Sequence, residues 1–292
     1  MHELELIISG QHAQLLSDEL FELGAATITL RDAEDNPIFE PAPETLPLWP
    51  DIKLSAIFEE DISLDSILLQ LCTLVDPKII HHAELKLIPE QDWVRETQSL
   101  TKPMCFGDKL WIYPSWDEPP ADGTVKILLD PGLAFGTGTH PTTALMLRWL
   151  ALNPPFEKIV LDYGCGSGIL AIAAAKLGAS KVIVTDIDPQ ALLATHDNAA
   201  RNGITELQLE TYLPKDLPIN LKIDVIVANI LAEPLLDLAH IFSSYLKSGG
   251  IVVISGILTE QIEMICNIYE KYFTLKDMQL QQEWASIVWE VA

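Results

Sequence analysis

The chain has 292 residues, 49% of them hydrophobic and 21% charged, with only 15 Gly and 19 Pro. These figures exclude wholesale disorder and fibrous or low-complexity folds, and leave ample apolar material for a buried core in one large α/β domain or two domains. The formal net charge is −24, most of it within the first 130 residues, so direct binding to a phosphate backbone is not expected, whereas a basic partner is attracted.

In chain order, Leu4, Leu6 and Ile8 alternate with Glu3 and Glu5, the period of a half-buried strand. Residues 11–23 carry Leu16, Leu20 and Leu23 at helical spacing, with Gly24 as the stop. A short β-branched stretch, 27–30, follows. Pro37, Pro41, Pro43, Pro47 and Pro50 then mark a loop. Ile52, Leu54, Ala56 and Phe58 alternate again. Residues 63–75 are helical, with Ile67, Leu68, Leu71, Leu74 and Val75 on one face and Asp65 in the first turn, where the helix dipole favours it. Residues 79–88 close the series as a strand. The order β-α-β-β-α-β predicts a small α+β, ferredoxin-like domain over residues 1–90. RNA-recognition modules share that topology, but their strands carry aromatic and basic residues. Here the strands offer Glu, Thr, Ser and Ala, which favours a protein-binding or structural role.

Residues 91–130 read as a linker region. It holds Trp93, Trp111, Tyr113 and Trp116, expected to pack between domains, and is punctuated by Pro103, Pro114, Pro119 and Pro120. From residue 131 to 292 the pattern becomes long βα units. Helices are predicted at 141–152, 169–177, 190–202, 234–246 and 260–273. Strands are predicted at 159–162, 182–186, 207–211, 224–229, 251–255, 274–280 and 284–291. Such alternation means a doubly wound, Rossmann-like parallel sheet, here ending in an antiparallel edge hairpin.

Four segments carry chemistry. In Asp162-Tyr163-Gly164-Cys165-Gly166-Ser167-Gly168 an apolar strand runs into a glycine turn that opens a helix, which lets the backbone approach a ligand and presents helix N–H groups to it. The third small residue of a dinucleotide fingerprint is replaced by Ile169, and no GK[ST] follows. Asp162 before the turn suits a cation better than a pyrophosphate, the pattern of S-adenosyl-L-methionine (AdoMet) methyltransferases. Twenty-two residues after Gly164, Asp186 stands where a carboxylate accepts bonds from ribose hydroxyls. Asp188 reads as a helix cap. Asn229, in Asn229-Ile230-Leu231-Ala232, ends a later strand; amino-methylating enzymes often have Asn-Pro-Pro-Tyr there, and only the Asn matches. Residues 130–143 (DPGLAFGTGTHPTT) combine a glycine loop with Thr139, Thr142 and Thr143 at a helix start.

These segments, with LDYGCGSGIL, DIDPQAL and NILAEPL, closely resemble the bacterial ribosomal protein L11 methyltransferase family (PrmA type). The resemblance runs through the whole chain, including Asp92-Trp93 and the stretch Leu110-Trp111-Ile112-Tyr113-Pro114-Ser115-Trp116. It implies a class I AdoMet-dependent methyltransferase that modifies lysine side chains, and in some members the N-terminal amine, of that ribosomal protein. The family's cofactor positions fall on Thr143, Gly164, Asp186 and Asn229, with Gly166 and Phe135 as neighbours. It also implies substrate recognition by the N-terminal domain. Methyl transfer is then a direct in-line displacement governed by placement, with Asn229 orienting the target amine. His140 reads as a loop residue rather than a proton acceptor, and Cys165 as filler. Cys72, Cys105, Cys165 and Cys266 form no CxxC pair and are expected as thiols. The chain has neither a secretory-type start nor an eighteen-residue apolar run, so a cytoplasmic protein off the membrane is expected, taken to be a monomer and to hold no metal.

Overall fold

The structure, a computed structural model, describes residues 1–34, 49–60, 62–88, 101–119, 123–131 and 138–291. The prolines at 37, 41, 43 and 47, Trp93 and the glycine-loop residues 132–137, with Phe135, lie outside the described residues. The chain divides into two compact units, Met1–Trp93 and Val94–Ala292.

In the first unit, β1 (His2–Ser9) and β3 (Asp51–Phe58) form the centre of a four-stranded sheet, with β2 (Thr27–Asp32) and β4 (Ile80–Leu87) at its edges in the order β2-β3-β1-β4. Every pairing is antiparallel. Alternation turns Leu4, Leu6, Ile8, Ile52, Leu54, Ala56 and Phe58 to one face, where α1 (Ala13–Glu22) and α2 (Leu64–Leu74) cover them. Each of the Leu, Ile and Phe side chains contributes about 1.5–3 kcal/mol on burial, Ala56 less. Helix α1 starts later than predicted because residues Gly10–His12 form a 3₁₀ turn, tied by the Gly10 N–H to the Pro50 carbonyl at 2.7 Å. Ser63 caps α2, its hydroxyl accepting from the Ser66 N–H. On the other face, Glu5 accepts from Lys53 and Lys86, which hold its carboxyl below the usual range despite partial burial.

The second unit opens with a small sheet, β5 (Met104–Phe106), β6 (Leu110–Tyr113) and β7 (Val125–Leu128). These residues, predicted as linker, instead place Phe106, Leu110, Ile112, Ile127 and Leu129 in a core shared with the following helices. The main sheet has the order β10-β9-β8-β11-β12-β14-β13. Its first five strands, β8 (Ile159–Tyr163), β9 (Lys181–Thr185), β10 (Leu209–Tyr212), β11 (Ile223–Asn229) and β12 (Leu246–Leu258), are parallel. The closing hairpin, β13 (Phe273–Gln281) and β14 (Trp284–Val291), is antiparallel, with β14 inserted between β12 and β13.

Helices cover both faces. α3 (Pro141–Leu152), α4 (Ile169–Lys176) and α5 (Pro189–Arg201) share a core with Val160, Val182, Val184 and Val227. α6 (Ala232–Tyr245) and α7 (Ile262–Tyr269) pack with Leu161, Ile183, Ile226 and Ala228 on the opposite face. Strand β12 is longer than predicted and carries an irregularity between Ser255 and Ile257. Helix α7 is shorter, because Thr259–Gln261 form a 3₁₀ turn in which Gln261 Oε1 accepts the Leu258 N–H at 2.8 Å. Among the described residues no helix is long and apolar enough to cross a membrane.

Candidate cofactor site at the carboxyl ends of the strands

In an open parallel sheet a ligand crevice lies beyond the carboxyl ends of the strands, where the connections to flanking helices diverge. Here β8 ends in the glycine turn. Gly164 and Cys165 donate their N–H groups to the Thr185 carbonyl at 2.8 and 3.2 Å, which ties the turn to the end of β9. Gly164 has φ of +81°, and a Cβ there would lie 2.3 Å from Ile230 Cγ2. The glycine is therefore required by the residue after Asn229 as well as by the left-handed backbone. Thr195 of α5 braces the turn, its hydroxyl lying 3.1 Å from the Gly166 carbonyl and 3.3 Å from Cys165 Sγ. Asn198 Nδ2 donates to the Ser167 carbonyl at 2.9 Å. Cys165 is buried, and that burial pushes its thiol well above the ordinary range, so it is no nucleophile.

Asp186 follows β9 directly and is half-buried. Its Oδ2 accepts the Gly166 N–H and its Oδ1 the Asp188 N–H, both at 3.0 Å. Each carboxylate oxygen keeps lone-pair capacity for a further donor. Asp188 caps α5, accepting the Gln190 N–H at 2.9 Å. Asp162 lies beneath the turn rather than along the crevice. It is fully buried, and its Oδ2 accepts the Ala171 N–H of α4 at 2.9 Å. Its Oδ1 has no partner. Burial, reinforced by the charge of Asp186 and opposed by the Ala171 N–H, raises its pKa to about 7.

Across the crevice, Asn229 ends β11 and donates from Nδ2 to Thr143 Oγ1 at 3.1 Å. Thr143 lies in the first turn of α3 and is buried. His140 caps that helix. Its Nδ1 lies 2.7 Å from Thr142 Oγ1, and its ring meets Trp284 edge-on with centroids 4.9 Å apart. Burial lowers its pKa, opposed by the charge of Glu283. Contacts thus run from Asp186 to Gly166, through the turn to Gly164, across to Ile230, and from the adjoining Asn229 to Thr143.

Two residues in this array escape motif reading. Ile230 fills the space above Gly164. Gly256, at the β12 irregularity with φ of +85°, admits the Ile230 carbonyl, which would lie 2.2 Å from a Cβ there. The signal for Gly256 is present in the sequence, a lone glycine interrupting an apolar strand.

The family model for "Ribosomal protein L11 methyltransferase (PrmA)" matches residues 1–291. The chain belongs to the PrmA family. It is 46% identical over 287 residues to a ribosomal protein L11 methyltransferase of Escherichia coli O8, covering 98% of this chain and 97% of that one. A Shigella sonnei relative of the same name is 47% identical over the same length, with the same coverage. Among solved structures, a ribosomal protein L11 methylase from Lactobacillus delbrueckii subsp. bulgaricus superposes with a TM-score of 0.57 at 36% identity, covering 65% of this chain and 97% of that one. The fold of the second unit is the class I, Rossmann-like methyltransferase fold. The cofactor of PrmA proteins is AdoMet. The half-exposed Asp186 carboxylate, with lone pairs left over after the Gly166 and Asp188 N–H groups, offers acceptors suited to ribose hydroxyls, and the buried Asp162 beneath the turn adds acidic character that does not suit a pyrophosphate.

Proposed function

We propose that this chain transfers methyl groups from AdoMet to lysine ε-amino groups, and to the N-terminal α-amino group, of ribosomal protein L11 by direct in-line displacement. The observation that carries this reading is the contact array from Asp186 through the glycine turn to Asn229 and Thr143, in a chain matched to its family over residues 1–291. Gly164 and Gly166 would line the cofactor and Asp186 hold its ribose hydroxyls. Thr143 and Asn229 would close the far side. Phe135 is proposed as a neighbour of the cofactor from outside the described residues. Asp162 acts from beneath the turn. Bound AdoMet supplies a methyl group already activated on a sulfonium.

The remaining work falls to the chain. A target lysine with an ordinary pKa near 10.4 arrives as an ammonium without a lone pair. Desolvation of that amine on binding would favour its neutral form. Asn229 Oδ1, left open when Nδ2 donates to Thr143, can accept an N–H of that amine and aim its lone pair. Alignment of two bound reactants can contribute up to about 7–11 kcal/mol.

In this reading residues 1–90 are a ferredoxin-like substrate-recognition domain, and the second unit, Val94–Ala292, whose core includes residues of the segment read as a linker, carries catalysis. The charge of −24 suits a basic protein target rather than nucleic acid. The protein acts as a cytoplasmic monomer. Incubation of the purified chain with unmodified L11 and AdoMet, followed by peptide mass spectrometry, tests the proposal. Methyl increments on lysines or the N-terminus are expected; L11 that stays unmodified while AdoMet is bound would contradict it.

A further inference from the structure

The buried carboxyl of Asp162 has no evident purpose in a site that needs only placement. It sits at the next-to-last position of β8, two residues before Gly164, and is fully buried. It receives a single hydrogen bond, from the Ala171 N–H, while Oδ1 is orphaned. A buried carboxylate with one donor is poorly compensated, and the neutral acid costs less. From β9 it feels Asp186, a like charge, and the turn places the Cys165 thiol in its field. From β11 its register neighbour is Val227, and α4 presents only aliphatic residues from Ile169 to Ala175. No ion pair of Asp162 exists among the described residues. A positive charge in the crevice would reverse this balance.

We propose that Asp162 is a positioning residue linked to cofactor binding by a proton: it stays protonated while no cation faces the turn and releases its proton when the positively charged cofactor binds. The inference rests on the crevice being the AdoMet site, and it assigns to Asp162 a change of charge state that anchors the glycine turn under the bound cation. Its raised pKa, about 7, places the exchange near neutral pH. Ionisation would also strengthen the bond from Ala171, since a charged acceptor is the better one.

The test is calorimetric titration of the full chain with AdoMet between pH 5.5 and 7, where the cofactor's own amine remains largely protonated. Each titration is run in two buffers of different ionisation enthalpy, so that the difference in heat counts the protons exchanged. Net release approaching one proton per site is expected at the acid end. Affinity should rise with pH, by up to about tenfold per unit below the pKa of the free carboxyl. Asp162→Asn keeps an acceptor for the Ala171 N–H but has no proton to give, so its release should vanish and its affinity become flat with pH. Binding of AdoMet by the native chain without proton release, or equal release from Asp162→Asn, would overturn the proposal and leave the cofactor site standing. Absence of binding at every pH would overturn both. A native chain that binds AdoMet without releasing a proton overturns the proposal even if Asp162→Asn folds poorly, and Asp162→Glu, which keeps a titratable carboxyl, should then retain the release.

Discussion

Replacing Gly164 by Ala isolates the contact that joins the glycine turn to the end of β11. The new Cβ would sit 2.3 Å from Ile230 Cγ2, far inside the ordinary carbon contact distance of about 3.5–4.0 Å. The backbone there has φ of +81°, which costs a residue with a Cβ about 1–2 kcal/mol. Overpacking adds about 1–3 kcal/mol. The expected loss is therefore about 2–5 kcal/mol, a large share of the roughly 5–15 kcal/mol that stabilises a typical domain. The two parts are separable. Ile230→Ala removes the clashing methyl, so in the double variant the steric part should reappear as a coupling energy of about 1–3 kcal/mol, while the backbone part remains. Urea unfolding of the four proteins in the cycle, with linear extrapolation, measures both. If Gly164→Ala stays within about 0.5 kcal/mol of the parent, or the two substitutions simply add, the turn is not wedged by Ile230 and the reasoning fails.

Asp162 should make stability depend on pH. Its folded pKa of about 7 lies above the ordinary 3.8, so between these values the folded state binds a proton that the unfolded state lacks. Stability is then fully present below about pH 4 and is lost as pH rises through 7, by an amount on the order of 4 kcal/mol. Asp162→Asn should flatten that limb of a melting-temperature profile; parallel profiles would count against the assignment. Asn202 bridges β7 and α5, accepting the Leu128 N–H and donating to the Leu128 carbonyl, both at 2.8 Å. Asn202→Ala should lose about 1–3 kcal/mol in denaturant titrations, and an unchanged midpoint would show that the small sheet is not held this way. Cys165 is buried with its thiol pushed up, whereas Cys105 is exposed. A thiol reagent at pH 8 should therefore label Cys105 in the native protein and Cys165 only after unfolding, as peptide mapping would reveal.

The elements were legible where one physical demand dominates. Leu4, Leu6 and Ile8, and Ile52 through Phe58, alternate because one face of their sheet is buried and the other is not, and every one of them is in the core. Helix α3 starts where Pro141 fixes the first turn, at the predicted residue. Pairing order was less legible. β14 pairs with β12 through Val253 and Val288, 35 residues apart, and nothing local to either strand specifies that insertion. The strands β5 to β7 are three or four residues long among prolines, too short for a periodic signal.

At the candidate site, residue identity singled out Gly164, Asp186, Asn229 and Thr143, and the contacts that bring them together were not marked in the sequence. The Gly164–Ile230 approach joins residues 66 positions apart, and a close approach leaves no local mark. The placement of Asp162 could have been read: alternation along β8 puts it on the same face as Val160, beneath α4, and so away from the crevice.

The proposed function places AdoMet at the carboxyl ends of β8, β9 and β11 with its ribose on Asp186. Calorimetric titration of the parent chain and of Asp186→Ala tests it most directly. The account predicts one equivalent bound by the parent and at least a tenfold loss in the variant, in line with about 1.5–3 kcal/mol for a charged hydrogen bond. Equal affinity in the two proteins would contradict it.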